Sequence, residues 1–317
     1  MQFKVFVDGQ AGTTGLKIHQ RLARRSDLDL LRIEDEKRKD LETRRALLNE
    51  ADVVFLCLPD AAAVESVSLI ENANTRVIDA STAHRVDPDW TYGLPELGAG
   101  RKREIANAKR VSVPGCHATG FILLLYPLVK AGIVPRDYPV CCHSITGYSG
   151  GGKPLIERYR TAEESGKAYV SPRHYALGLN HKHLPEMQQL TGLVHPPLFT
   201  PIVGNFYQGM VVAIPLCRRL LSKTPTAKDI HAVLASFYAN QRFVTVIPYE
   251  SEAYLEAGYL DAMACNDSNR AELFVFGRDD QILLLARFDN LGKGSSGAAV
   301  QCMNIMLGLD EGIGLAQ

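Results

Sequence analysis

Residues 3–22, FKVFVDGQAGTTGLKIHQRL, run from an apolar strand pattern through a glycine turn into a helical pattern. FKVFVD (3–8) reads as a short buried strand. LKIHQRLARR has helical spacing, with Leu16 and the Ile18/Leu22 pair expected on one side. Between them Gly9, Gly12 and Gly15 form GxxGxxG. Glycines let the backbone turn tightly and approach a pyrophosphate, while the following helix offers free N–H groups and a positive dipole end. Thr13 and Thr14 add hydroxyl donors. A tight strand-to-helix turn also uses glycine without binding anything; the position at the head of a run of βαβ units is what points to a dinucleotide.

That run continues through LDLLRI (28–33), a second strand, then DLETRRALLNEA, a helix, and DVVFLCLP (52–59), a buried strand. AAAVESVSLIENA is a further helix, and RVIDAS (76–81) and RVSVPG (110–115) are further strands. The alternation predicts an α/β fold with a Rossmann-like doubly wound parallel sheet. After about residue 120 the character changes. Prolines become common, PVCCHSIT and MVVAIPLC alternate less cleanly with helices, and FVTVIP, AELFVFG and QILLLARFD follow in succession. Arg278, Asp279 and Asp280 offer turn chemistry for a hairpin. This predicts an α+β domain with a mixed or antiparallel sheet. SSGAAVQCMNIMLGL closes as a helix with Ala298, Gln301, Cys302 and Ile305 along one side.

A chain of 317 residues suits two domains. Lys+Arg and Asp+Glu balance at 35 each, which speaks against nucleic acid and against a charged membrane patch. No apolar run reaches the roughly 18 residues of a membrane span. MQFKVFVDGQ reads directly as a strand and lacks the basic start and apolar core of a signal peptide, so a cytoplasmic location is expected. The seven cysteines are odd in number, have no CxxC pair, and include adjacent Cys141 and Cys142; they read as reduced thiols. Most are expected to be small buried hydrophobes, Cys57 in VVFLCLP above all.

Four stretches carry candidate chemistry. In SVPGCHATGF (112–121), Cys116 follows a Pro-Gly turn at the start of an apolar helical run. A helix N-terminus favours the thiolate, and its N–H groups suit an oxyanion. Gly115 and Gly120 would let backbone pack close to a substrate, and His117 stands beside the thiol, although adjacent side chains point apart on a helix. Alone, the stretch serves a structural cysteine as well as a nucleophile. In NHKHLPEM, His181 and His183 share a face of an extended segment, and Pro185 suits the first turn of a helix. An imidazole there takes and gives protons near pH 7, or is simply a packed core group. The HxH spacing with Glu186 also suits a metal, but no further ligand cluster stands out and none is expected. SITGYSGGGK (144–153) reads as an open loop bearing Ser149 and Lys153, or as a plain linker. DASTAHRVDPDW follows the C-terminal end of a parallel strand, where open α/β sheets bind ligands, so Ser81, His84 and Arg85 are anion-binding candidates. In LRIEDEKRKD, Glu34 suits a ribose diol, whereas Arg32, Lys37, Arg38 and Lys39 suit a 2′-phosphate or form a solvated charged loop.

The glycine turn, STAHR with YGLPEL, VPGCHATG, SGGGK, HKHLPEM and the closing FDNLGKGSSGAAVQCMN occur in that order. Together they resemble the N-acetyl-gamma-glutamyl-phosphate reductases, more closely the shorter of two sequence types, over nearly the whole chain. That family belongs with the aspartate-semialdehyde dehydrogenase superfamily. The resemblance implies an NADPH-dependent enzyme of arginine biosynthesis. It would convert N-acetyl-L-glutamyl 5-phosphate to N-acetyl-L-glutamate 5-semialdehyde and phosphate through a cysteine thioester, as a homodimer or homotetramer. It implies Cys116 as nucleophile, and His181 or His183 as acid–base group with Glu186 orienting the ring. Ser81, His84, Arg85, Ser149 and Lys153 would meet the substrate's charged ends. Gly9, Gly12, Thr13, Thr14, Gly15, Arg38, Asn290, Gly292 and Gly294 would surround NADP(H), with Lys293 a solvated loop charge. Residues 1–115 plus 295–317 would form the NADP-binding domain and 116–294 the catalytic and dimerisation domain. The GxxGxxG spacing departs from the common dinucleotide fingerprint. Alternative readings are the branch acting on a one-carbon-longer aminoadipyl phosphate in lysine biosynthesis, aspartate-semialdehyde dehydrogenase itself, a Cys-His hydrolase, and a nucleotide-sensing module with an unreactive Cys116.

Overall fold

The computed structural model describes residues 2–278 and 280–317. From its N-terminal end the chain alternates β1 (Phe3–Asp8), α1 (Thr13–Leu22), β2 (Leu28–Leu31), α2 (Leu41–Glu50), β3 (Val53–Leu56), α3 (Asp60–Ser68), β4 (Arg76–Asp79), β5 (Thr91–Tyr92), α4 (Ala99–Asn107) and β6 (Arg110–Ser112). The strands form a parallel sheet in the order β2-β1-β3-β4-β6-β5. The order reverses between β1 and β3, the kind of switch point at which doubly wound sheets hold ligands.

The near-continuous apolar strands are explained by two covered faces. Val5, Val7, Val53, Phe55, Ile78 and Val111 point into one core with Ile18 and Leu22 of α1. Phe6, Val54, Leu56 and Val77 point into the other, against Leu48 of α2 and Ala63 of α3. Leu16 does not join Ile18: it is 51% exposed. Two residues apart on a helix is about 200° of rotation, so the face that buries is Gly15, Ile18 and Leu22. The strands end earlier than the apolar runs suggest, because Pro59 and Pro114 cannot donate to a ladder.

The second unit contains α5 (Cys116–Lys130), β7 (Cys141–Gly147), α6 (Gly152–Glu164), β8 (Arg173–His174), α7 (Leu184–Thr191), β9 (Leu198–Gly204), β10 (Met210–Cys217), α8 (Ala227–Tyr238), β11 (Val244–Val246), β12 (Ala271–Arg278) and β13 (Gln281–Phe288). Its seven-stranded sheet, β11-β12-β13-β10-β7-β9-β8, mixes parallel and antiparallel pairs. Arg278 pairs with Gln281 across the β12–β13 hairpin; Asp279, expected in that turn, lies outside the described residues. Pro215 is tolerated in β10 because pairing with β7 stops at Ala213↔His143.

Helix α5 packs across β10 and β13. Gly120, expected to open toward a substrate, instead lets this helix close on the sheet: a Cβ there would lie 2.6 Å from Val212 and 2.8 Å from Phe288. Pro127 lies inside α5 and leaves the carbonyl of Leu123 without its helical donor. The Tyr238 hydroxyl of α8 donates to that carbonyl at 2.7 Å.

A five-residue π turn, Gly292–Ser296, leads into α9 (Gly297–Met306). Helix α9 returns to the first unit, which comprises Met1–Pro95, Ala99–Gly115 and Ser295–Ala316; the second comprises Glu96–Gly98, Cys116–Gly294 and Gln317. Ala298, Ala299, Val300, Cys302, Met303 and Met306 complete the first core, so α9 is buried nearly all round rather than along one side. No helix among the described residues is long and apolar enough to cross a membrane.

Candidate active site

In the first unit, Gly9 has φ +90°, and a Cβ there would lie 2.3 Å from the Cys57 carbonyl oxygen. A Cβ on Gly15 would lie 2.3 Å from the Gly9 carbonyl oxygen. Gly12 donates its N–H to Gly9 at 3.0 Å and is the N-cap of α1, which begins at Thr13. The turn is therefore a bare backbone cradle under a helix N-terminus whose first N–H groups have no intrahelical acceptor. Thr14 Oγ1 lies 3.1 Å from Ser295 Oγ. Asp8, at the end of β1, is held by Arg44 and by Ser66, each at 3.0 Å. After β2 the charges are solvated and locally paired, Lys37 with Glu34 at 2.9 Å and Arg38 with Asp35 at 3.6 Å.

Ser81 and His84 have structural partners: both bond the buried carboxylate of Asp79, at 2.6 and 2.7 Å. His84 stacks on Trp90, with centroids 4.1 Å apart. Arg85 donates to the carbonyls of Val113 at 3.0 Å and Ala80 at 3.3 Å. The structure thus gathers these three around the C-terminal end of β4.

In the second unit, Cys116 is the half-exposed first residue of α5. All seven cysteines are free thiols. Contrary to the sequence reading, only Cys142, Cys265 and Cys302 are buried and Cys57 is half-buried; packing still pushes the thiols of Cys57 and Cys142 far up and that of Cys265 up to about 11, which leaves them inert. His117, beside Cys116, is buried with both ring nitrogens engaged: Nδ1 with Ser144 Oγ and Nε2 with the Tyr175 hydroxyl, each at 2.7 Å. Burial, then the nearby His181 and Lys182, lowers its pKa to about 3. The Tyr175 phenol is driven upward by burial and then by the charge of Cys116.

His117, His181 and His183 form a ring cluster, with centroid separations of 5.4 Å (117–181), 5.5 Å (117–183) and 4.6 Å (181–183). His183 is buried and precedes α7; its backbone N–H donates to Nδ1 of His181 at 3.2 Å. That bond makes Nδ1 of His181 an acceptor and puts the proton of the neutral ring on Nε2. Glu186 is buried in the first turn of α7. No group of three or more His, Cys, Asp or Glu side chains among the described residues is arranged to hold a metal ion.

Ser149 is buried and accepts from Asn290 Nδ2 at 3.0 Å, while Asn290 Oδ1 accepts the Gly209 N–H at 2.8 Å. Lys153 is exposed, one residue into α6. Asp289 accepts the N–H groups of Leu291 and Asp267, each at 2.8 Å, and burial still raises its pKa. Gly292 packs on the Ser268 carbonyl, and a Cβ on Gly294 would stand 2.8 Å from Cys116 Cβ. Lys293 corrects the sequence reading: it is no solvated loop charge but is 0% exposed, paired at 2.7 Å with Glu96, itself 1% exposed. The signal was present, since Lys293 is the only charged residue between 290 and 309. Nothing comparable in the sequence pointed to Ser144 or Tyr175 as partners of His117.

Residues 4–107 match the family model for the semialdehyde dehydrogenase NAD binding domain, and residues 116–290 that for the semialdehyde dehydrogenase dimerisation domain. Among curated relatives, the N-acetyl-gamma-glutamyl-phosphate reductase 2 of Nostoc sp. is 48% identical, covering 98% of this chain and 99% of its own. The N-acetyl-gamma-glutamyl-phosphate reductase of Burkholderia orbicola is 49% identical, covering 96% and 97%. Among solved structures, aspartate semialdehyde dehydrogenase from Francisella tularensis superposes with a TM-score of 0.71 at 16% identity, covering 96% of this chain and 100% of that one. Aspartate semialdehyde dehydrogenase II from Vibrio cholerae does so with 0.70 at 15%, covering 97% and 98%. At those identities the structures bear on the fold alone.

Proposed function

This chain belongs to the semialdehyde dehydrogenase family and, within it, to the N-acetyl-gamma-glutamyl-phosphate reductases, and from that membership we propose how its residues carry the reaction. The activity is reduction of N-acetyl-L-glutamyl 5-phosphate to the 5-semialdehyde with release of phosphate, a step of arginine biosynthesis. The observation that carries the residue assignment is Cys116: a half-exposed thiol opening a helix, in the unit that also holds the histidine cluster. The Cys116 thiolate attacks the acyl phosphate carbon; the Sγ–C bond forms, the C–O bond to phosphate breaks, and phosphate leaves with the electron pair. N–H groups of the first turn of α5 steady the oxygen's developing charge. A nicotinamide cofactor, when bound, supplies the hydride that reduces the resulting thioester. His181 holds its Nε2 proton against the same oxygen while the tetrahedral adduct collapses, the C–S bond breaks and the thiolate returns.

The cradle of Gly9, Gly12, Thr13, Thr14 and Gly15 fits a pyrophosphate, because glycine at both outer positions lets the turn fold tightly against its own backbone and Cys57, leaving the first N–H groups of α1 bare for an anion. Arg38 and its basic neighbours favour NADP(H) over NAD(H) by offering a 2′-phosphate cationic partners, so Arg38→Ala should weaken NADPH binding more than NADH binding in a fluorescence titration. The units are read as an NADP-binding domain and a catalytic domain. A homodimer forms through the outer face of the seven-stranded sheet, where Tyr138, Cys141, Pro215, Leu220, Phe276 and Leu283 line an open apolar hollow of about 750 Å³.

The assay is phosphate-dependent NADP⁺ reduction with N-acetyl-glutamate semialdehyde, run beside its one-carbon-longer analogue. Cys116→Ser is expected to abolish turnover and leave NADPH binding intact; retained turnover removes the nucleophile. His181→Asn should lower kcat by about 10²-fold or more, and His183→Asn by much less. The reverse order reassigns the imidazole.

A further inference from the structure

Lys293 and Glu96 are, among the described residues, the most deeply buried ion pair, and the reaction as assigned does not use it. Their Nζ and Oε1 atoms are 2.7 Å apart at 0% and 1% exposure. Taking both charges out of water is costly, and apolar side chains of similar volume often serve stability as well. What a close ion pair adds is a defined direction and distance.

The backbone on which Lys293 stands shows what that direction fixes. Lys293 lies in the π turn Gly292–Ser296, a local geometry that recurs at functional sites. The next residue, Gly294, has its backbone so close to Cys116 that a Cβ would fall 2.8 Å from Cys116 Cβ and 3.3 Å from its Cα. The Gly294 N–H is tied to the Asp289 carbonyl at 3.0 Å. At the other end, Glu96 sits in the short helical turn Pro95–Leu97. One ion pair therefore ties the turn behind the thiol to the separate turn Pro95–Leu97, with Glu96 197 residues earlier in the chain than Lys293.

We propose that Lys293 and Glu96 are positioning residues for the nucleophile: their buried ion pair clamps the π turn so that the Gly294 backbone walls Cys116 into the geometry from which it attacks. This rests on Cys116 being the nucleophile. Neither side chain need touch substrate or cofactor.

The test compares the wild type with the paired neutral variant Lys293→Met/Glu96→Gln, which leaves no lone buried charge, and with Gly294→Ala, which disturbs the same wall while keeping the ion pair. Melting temperature and NADPH titration report folding; kcat, KM and the pH dependence of Cys116 alkylation by iodoacetamide report the thiol. The expected result for the folded paired variant is a kcat reduced by at least tenfold, a KM within about threefold of wild type, and slower alkylation across pH. Gly294→Ala should show the same pattern. A folded paired variant with kcat and alkylation within threefold of wild type overturns the proposal. Should the paired variant not fold, Glu96→Asp, which keeps both charges but shortens the carboxylate's reach to Lys293, decides: the pattern above supports the clamp, and wild-type turnover and alkylation overturn it. Cys116→Ser, run beside them, separates the two claims: if it keeps turnover the nucleophile assignment falls, whereas loss of turnover there with active clamp variants defeats only the clamp.

Discussion

His117 shows how environment decides what a residue can do. It stands next to Cys116, the proposed nucleophile, yet burial among Ser144, Tyr175 and two other imidazoles holds its pKa to about 3. In the unfolded chain the same ring titrates near 6.5. Between those values the unfolded chain binds a proton that the folded one refuses. Its contribution to stability is complete above pH 6.5 and is lost as pH falls toward 3, at up to about 1.4 kcal/mol per pH unit. Urea unfolding measured from pH 7 to pH 4 should show that slope in the wild type and a shallower one in His117→Asn; equal slopes would mean the ring is protonated in the fold. At this scale the sequence was informative where chemistry is local. Cys116 after a Pro-Gly turn and the HxH pair could be read directly, whereas the partners of His117 and Lys293 come from residues 27 to 197 positions away.

Elements follow the same division. The βαβ alternation was legible because both faces of a parallel sheet are covered, which makes each strand an uninterrupted apolar run. The two-residue strands β5 and β8 and the π turn were not legible, since tertiary pairing rather than a periodic pattern defines them. Helix α5 illustrates a repair that no local rule foresees. Pro127 removes a donor, and Tyr238, over a hundred residues on, replaces it. Tyr238→Phe keeps the ring and deletes the hydroxyl, so it should cost about 1–3 kcal/mol. Each kcal/mol should appear as a melting temperature lower by about 2–4 °C. An unchanged melting temperature would show that water or a rearranged helix satisfies the Leu123 carbonyl.

At the scale of the whole molecule, the outer face of the second sheet predicts association. Leu283 is 36% exposed on a central strand, beside Pro215 and Leu220, an apolar surface that a second copy would cover. Light scattering should give twice the 34.9 kDa chain mass for the wild type and a monomer for Leu283→Glu. A wild-type monomer at micromolar concentration would reject this face as the interface. The first unit draws its last core helix from the far end of the sequence: α9 supplies Ala298 through Met306 to a core begun by Val5 and Val7. During synthesis the ribosome therefore releases every residue of β7 through β13 before it releases the helix that closes the glycine-turn half. The nascent glycine-turn half has all its strands early but waits with an open apolar side for the longest part of translation, and the half bearing the thiol is the first whose helices and strands are all available to fold.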